Sequence, residues 1–264
     1  MTMLQCKKNF WSFSGRCDEN PLFGTIQTTL QQSGEQISKD PISRVVRSNA
    51  GGRLYFIKQY HQGGKGIRRF LGRSRAEGEW NNLLYFAGLD IPIPRIVAYG
   101  RERINGQTLE VLVTAGVDNS IDLASLARQQ PTRFNNRKWF LMIMKQVADY
   151  TRRLHDDGFV HWDLKWRNIL LQNNNEPKVY FFDCPLGRKQ FGPLRRRGAV
   201  KDLACLDKIG KKVLTRTQRL QFFLLYRQTE KLDPANKKTI LNVLNFFDKR
   251  EQLKELKKAG SNKK

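Results

Sequence analysis

The clearest chemistry in the chain lies in His161-Trp-Asp-Leu-Lys-Trp-Arg-Asn168. Asp163 and Asn168 stand five residues apart, between the short apolar runs Phe159-Val160 and Ile169-Leu-Leu171. A loop held at both ends can aim a carboxylate at an acceptor hydroxyl while an amide oxygen reaches a metal ion. Twenty residues beyond Asp163, Asp183 closes the apolar run Val179-Tyr-Phe-Phe182. A carboxylate leaving a buried strand is well placed to hold Mg²⁺ on a triphosphate. Upstream, Phe56-Ile57-Lys58 puts a lysine on an apolar strand, where an unpaired charge is costly. Glu79, on the next predicted helix, is its natural partner. Glu77, two residues away, points elsewhere on a helix and ranks second. These residue types suit transfer of a phosphoryl group from a magnesium nucleotide to a hydroxyl.

The elements that must position them read as follows. Residues 44–48 and 53–58 are predicted strands joined through Asn49-Ala-Gly-Gly52, a hairpin signal with a loop longer than the tightest type. A helix is predicted over 74–88, with Trp80, Leu83, Leu84 and Phe86 spaced at three and four and Gly88 as its cap. Ile91-Pro-Ile-Pro94 must be extended. A second strand pair is predicted over 96–103 and 108–114, turning at Asn105-Gly106. The strongest helical pattern, 138–155, places Trp139, Ile143, Val147, Tyr150 and Leu154 on one face and stops at Asp156-Asp157-Gly158. From about residue 200 the chain reads as helices with basic faces. Strands first and helices later predict an α+β protein of two lobes. The expected division is an N-terminal extension over 1–36, a β-rich lobe and hinge over 37–116, a helical lobe over 117–250 and a basic tail over 251–264.

The loop octapeptide matches the kinase pattern H-x-D-L-x-x-x-N, with Trp162 where arginine is usual. The lysine, the helix glutamate, the loop and the later aspartate also occur in kinase order. The chain resembles the protein-kinase-like superfamily, and within it the bacterial lipopolysaccharide core kinases that phosphorylate Kdo (3-deoxy-D-manno-octulosonic acid) or heptose. The resemblance spans about residues 44–210. It rests on Phe56-Ile-Lys58, the arginine-rich stretch leading to Glu77-Gly-Glu-Trp-Asn81, the loop, Phe182-Asp183, and Arg195-Arg-Arg-Gly-Ala-Val-Lys-Asp-Leu203. It implies a bilobal protein-kinase-like α+β fold using ATP and Mg²⁺. Asp163 would be the catalytic base, with Lys165 meeting the γ-phosphate. Asn168 and Asp183 would hold Mg²⁺, and Lys58 and Glu79 would position phosphates. Asp202 would brace the loop, and Leu112-Val-Thr-Ala-Gly116 would be the hinge beside adenine. Two departures stand out. No G-x-G-x-x-G precedes the lysine, and the expected phosphate-covering segment, 37–43, lacks glycine. Asp183 is followed by Cys-Pro rather than Phe-Gly.

The charge narrows the partners. Forty-eight bases against 24 acids leave a net charge of +24 on 264 residues, which calls for a polyanionic neighbour. Residues 62–76 hold five bases and no acid, and residues 187–201 hold six and none. Arg68, Arg69 and Arg73 in the first cluster and Arg195, Arg196 and Arg197 in the second are candidate substrate contacts. For 253–264 a solvated tail is the simpler reading. A phosphorylated core glycolipid on the anionic cytoplasmic face of the inner membrane fits these clusters better than nucleic acid does. Trp166 suits either loop packing or stacking on a sugar. Cys6, Cys17, Cys184 and Cys205 form no C-x-x-C pair and there are three histidines, so reduced thiols are expected rather than a structural zinc. No apolar stretch is long enough to cross a bilayer, and the first residues lack a secretory core. The expected setting is cytoplasmic and peripheral to the membrane. Two other readings keep the fold: a kinase acting on protein, and a kinase-shaped RNA- or membrane-binding module without catalysis. The second draws support from the missing glycine loop and is opposed by the intact Lys58, Asp163, Asn168 and Asp183.

Overall fold

The computed structural model describes residues 9–40, 43–61, 73–104 and 106–248. The chain divides into two compact units, one of residues 1–87 and 92–118, the other of residues 88–91 and 119–264.

The first unit opens with β1 (Phe10–Phe13) and two short helices, α1 (Asn20–Phe23) and α2 (Ile26–Leu30). Then come β2 (Glu35–Asp40), β3 (Ser43–Ala50), β4 (Arg53–His61), α3 (Arg75–Gly88), β5 (Ile96–Ile104) and β6 (Gln107–Ala115). The six strands make one antiparallel sheet in the order β1-β5-β6-β4-β3-β2. Alternation along β4 sorts its side chains. Tyr55 and Ile57 join Phe23, Ile26, Val97, Val111 and Val113 in the core, so Lys58 and Tyr60 take the opposite face.

The β3–β4 loop is tighter than its sequence suggests. Ala50 pairs with Arg53, leaving a two-residue turn of Gly51 and Gly52 with φ of 56° and 73°. Both glycines are needed because both turn positions lie in the left-handed region. Asn105, half of the second expected turn, lies outside the described residues, as do Arg68 and Arg69.

The N-terminal residues, unreadable as elements in sequence, are tied down by a buried carboxylate. Glu19 accepts from Arg95 through both guanidinium nitrogens, one at 2.8 Å, from the Tyr55 hydroxyl at 2.8 Å and from the Arg16 N–H at 2.7 Å. Burial pushes its carboxyl up, but these donors outweigh that and hold it at about 2. The Trp11 indole donates to the Phe23 carbonyl at 2.9 Å, and β1 pairs with the edge of β5.

The second unit continues with β7 (Ser120–Asp122), α4 (Leu123–Gln129), α5 (Arg137–Asp156), β8 (Phe159–Val160), β9 (Ile169–Gln172), β10 (Lys178–Phe181), β11 (Arg188–Lys189), α6 (Gly192–Val213), α7 (Arg216–Arg227) and α8 (Pro234–Leu244). The Asn136 side chain caps α5 by accepting the Trp139 N–H at 3.1 Å. Phe140, Ile143, Met144, Val147, Ala148, Thr151 and Leu154 form the buried face of α5. Leu203, Phe223 and Tyr226 pack against Ala148. Two small antiparallel sheets, β10-β9-β7 and β11-β8, frame the loop between β8 and β9. α6 starts at Gly192, earlier than its sequence pattern suggests, because Pro193 suits the first helical turn. The arginine run 195–197 therefore lies on a helix. Among the described residues no helix is long and apolar enough to cross a membrane.

Candidate active site

In the first unit, Lys58 Nζ stands 2.8 Å from Glu79 Oε2. Glu79 is buried on α3, and the buried Tyr60 hydroxyl donates to the same carboxylate oxygen. Lys58 and Tyr60 are two apart on one strand, so both reach α3 from one face of the sheet. Lys58 also lies 5.4 Å from the centre of the Tyr60 ring. Burial, reinforced by the neighbouring Glu79 charge, pushes the Tyr60 phenol far above its usual range and keeps it a donor. Sequence reading missed Tyr60; its position two residues after Lys58 was the available signal. Arg73 donates weakly to Asn82 Oδ1 at 3.4 Å. Of the segment expected over the phosphates, residues 37–40 belong to β2 and Ser43 opens β3, with Lys39 opposite Arg44 and Asp40 opposite Ser43; residues 41 and 42 lie outside the described residues. The expected hinge closes β6, and the Gly116 N–H donates to the Leu54 carbonyl at 2.7 Å.

In the second unit, the 161–168 loop is held at several points. Asp202, fully buried on α6, accepts the His161 N–H at 2.7 Å. Lys201, next along the same helix, donates to the Trp162 carbonyl. Two consecutive α6 residues thus grip two consecutive loop residues. The grip is needed because Trp162 sits at φ 67°, a strained conformation for a non-glycine residue. His155 Nε2 lies 3.4 Å from Asp202, and its Nδ1 lies 2.9 Å from the Tyr226 hydroxyl. A carboxylate only accepts, so we assign the ring hydrogen to Nε2 and the donor role toward Nδ1 to Tyr226. Burial pushes the Tyr226 phenol up to about 12, consistent with that role. It also holds the His161 imidazole below its usual range.

On this mount Asp163 is 30% exposed and Lys165 38%, so both reach solvent. Lys165 Nζ stands 2.5 Å from Asp163 Oδ1, and Arg167 lies 3.8 Å from Oδ2. Asn168 is buried, and its Nδ2 donates to the Asp163 carbonyl at 2.9 Å. That bond fixes the amide through its nitrogen, so that its oxygen is the atom that could ligate a metal. Asp183, at φ 54°, is bracketed by two tethers to the same loop. The Phe182 N–H donates to the Asn168 carbonyl at 3.2 Å, and the Cys184 thiol donates to the His161 carbonyl at 3.7 Å. Cys184 is therefore an anchor, which Phe at that position could not supply. One carboxylate and one amide are hard oxygen donors, and a pair of them fits Mg²⁺, which keeps several waters and shares phosphate oxygens. No cluster of three or more His, Cys, Asp or Glu able to hold a metal occurs among the described residues.

Trp166 is buried with its ring centre 5.4 Å from that of Phe134, so loop packing rather than sugar stacking accounts for it. Arg195 is committed to the end of α5, donating to the His155 carbonyl at 2.7 and 3.1 Å and to the Asp156 carbonyl at 3.1 Å. Arg196 and Arg197 are exposed on the first turns of α6.

An antiparallel unit with a strand lysine paired to a helix glutamate, and a helical unit carrying a braced Asp–Asn loop, define the protein-kinase-like α+β fold. A solved structure described as WaaP in complex with acyl carrier protein shares that fold, with a TM-score of 0.70 over 92% of this chain and 98% of that one at 18% identity. The profile of the lipopolysaccharide kinase (Kdo/WaaP) family matches residues 36–226, and the chain belongs to that family. The 3-deoxy-D-manno-octulosonic acid kinase of Mannheimia succiniciproducens is 34% identical over 112 residues, which are 42% of this chain and 43% of that protein. The enzyme of the same name from Actinobacillus succinogenes is 31% identical over 109 residues, 41% of this chain and 42% of that protein. Each alignment thus spans less than half the length of the curated relative.

Proposed function

We propose that the protein is an ATP-dependent kinase that phosphorylates a sugar hydroxyl of the lipopolysaccharide inner core, with Kdo as the acceptor. The observation that carries this reading is the braced loop in which Asp163, 30% exposed, stands beside Lys165 and a fixed Asn168. Membership of the Kdo/WaaP family supports the substrate class, and the names of the two relatives support Kdo over heptose.

In this reading Asp163 orients the acceptor hydroxyl and takes its proton as the hydroxyl oxygen bonds to the γ-phosphorus of ATP and the bond from that phosphorus to the bridging oxygen breaks, releasing ADP. Lys165, now against Asp163, offers its charge to the phosphoryl oxygens. Lys58 binds phosphate oxygens of the nucleotide, and Glu79 with Tyr60 sets its direction. Asn168 and Asp183 would hold Mg²⁺, which supplies charge neutralisation to the triphosphate when bound. The acceptor is part of a membrane glycolipid, so the enzyme works peripherally at the anionic cytoplasmic face of the inner membrane.

The test is to incubate the purified protein with Mg-ATP and a Kdo-bearing acceptor and follow phosphate gain by mass spectrometry. The wild type adds one phosphate. Asp163→Asn lowers turnover by about 10²–10⁴ with an unchanged circular dichroism spectrum. Equal turnover by the variant removes Asp163 from the mechanism, and no phosphorylation by the wild type rejects the activity.

A further inference from the structure

Among the described residues, three of the four most exposed large hydrophobic side chains fall within nine consecutive positions. They are Phe191 at 80%, Leu194 at 56% and Leu186 at 52% exposed. A single exposed leucine needs no explanation, but a cluster built around an exposed phenylalanine does.

The segment carrying them is firmly mounted. Gly187 lies so close to Cys184 and Phe159 that a Cβ there would come within 2.4 Å of the Cys184 sulfur and 2.6 Å of the Phe159 ring. Arg188 and Lys189 pair with Val160 and Phe159 as β11 against β8. The Gln190 N–H donates to the Gly158 carbonyl at 2.8 Å, and Arg195 holds the end of α5. Gly198 packs on Val160. Phe191 and Leu194, three residues apart at the start of α6, are thus presented to solvent by a fixed frame. A surface already ordered in this way loses little side-chain and loop freedom when it docks.

The charge around them selects the partner. Residues 187–201 contain six bases and no acid. The Lys189 charge is taken by Asp157 at 3.0 Å. Arg188, Arg196 and Arg197 are exposed. Apolar side chains set among arginines match an interface with acyl chains below and phosphates above, because the ring enters the boundary region while guanidinium groups stay at headgroup level.

We infer that Leu186, Phe191 and Leu194, with Arg188, Arg196 and Arg197, form the surface by which the protein docks on an anionic lipid bilayer. Arg196 and Arg197, read from sequence as substrate contacts, are assigned to the lipid surface in which that substrate sits. The inference rests on the proposed function only for its membrane-bound acceptor, and its test uses neither ATP nor acceptor.

The experiment is flotation of the full chain with vesicles of phosphatidylethanolamine containing about one quarter phosphatidylglycerol, against vesicles of phosphatidylcholine, across a salt series. The wild type floats with the anionic vesicles and is released by salt. Phe191→Ser with Leu194→Ser weakens binding by about tenfold or more and leaves the salt dependence in place. Arg196→Gln with Arg197→Gln weakens it by about 30-fold and flattens that dependence. Both side-chain pairs are exposed, and circular dichroism checks that the variants fold. Wild-type binding by the serine variant overturns the proposal. Failure of the wild type to bind anionic vesicles, or equal binding to neutral ones, also overturns it. So does capture of an acidic soluble protein through the same residues in place of vesicles. Activity on a water-soluble deacylated acceptor separates the two claims. The serine variant keeps wild-type turnover there, and a wild type that floats but phosphorylates nothing removes the kinase reading and leaves the docking surface standing.

Discussion

Replacing Glu19 by glutamine tests how the N-terminal segment is fastened to the sheet that carries Lys58. The carboxylate is buried, with Arg95, Tyr55 and the Arg16 N–H as donors. Its pKa is held at about 2, against 4.5 for an ordinary glutamate. A folded-state value below the unfolded one favours folding wherever the group is ionised in both states, which here means above about 4.5. The difference is worth about 3 kcal/mol. Arg95 has 36% of its side chain exposed, so solvent screening makes that figure an upper limit. The contribution fades as pH falls from about 4.5 towards 2, and about 1.4 kcal/mol of it has gone by pH 3.5. Glutamine cannot ionise, so Glu19→Gln loses the whole contribution at pH 7 and the gap from wild type narrows in acid. The assay is urea unfolding of both proteins at pH 7, 5 and 3.5. In a parallel thermal melt at neutral pH the midpoint should fall by at most about 6–12 °C. A gap below about 1 kcal/mol at pH 7, or one of constant size down to pH 3.5, would refute the account of Glu19 as an ionised anchor.

Tyr60→Phe removes one donor from the buried Glu79 carboxylate while leaving Lys58 in place. It should lower stability by about 1.5–3 kcal/mol in urea unfolding, and an unchanged midpoint would show that the hydroxyl is dispensable. Lys201→Met frees the Trp162 carbonyl and relaxes the strained φ of 67°. It should lower kcat by about tenfold or more with the KM for ATP unchanged, and Lys201→Arg should restore part of the loss. A rise in KM alone would place Lys201 in nucleotide binding instead.

The residues that could do chemistry were legible because their spacing is local. Asp163, Asn168 and Asp183 are read from a loop motif and the end of an apolar strand, and Lys58 from strand alternation next to a helix glutamate. The strand pairs β3–β4 and β5–β6 and the helices α3 and α5 were legible for the same reason, since turn residues and hydrophobic periodicity act over a few positions. What lay outside sequence reach depends on partners distant along the chain. Glu19 meets Arg95 across 76 residues and Tyr226 meets His155 across 71, while the contact of Asp202 with His161, across 41 residues, was expected only through the family resemblance. No pattern within residues 9–36 announces that β1 will add to the edge of β5, because that edge is formed nearly ninety residues later. Composition likewise showed that residues 187–201 are basic, but only the packing of Gly187, Arg195 and Gly198 against β8 and α5 decided which side chains turn inward and left Phe191 facing water. Residue type and spacing determine which groups are available for chemistry. Burial and long-range hydrogen bonding decide their orientation, because the cost of leaving a buried polar group unsatisfied is settled only when the whole chain has folded.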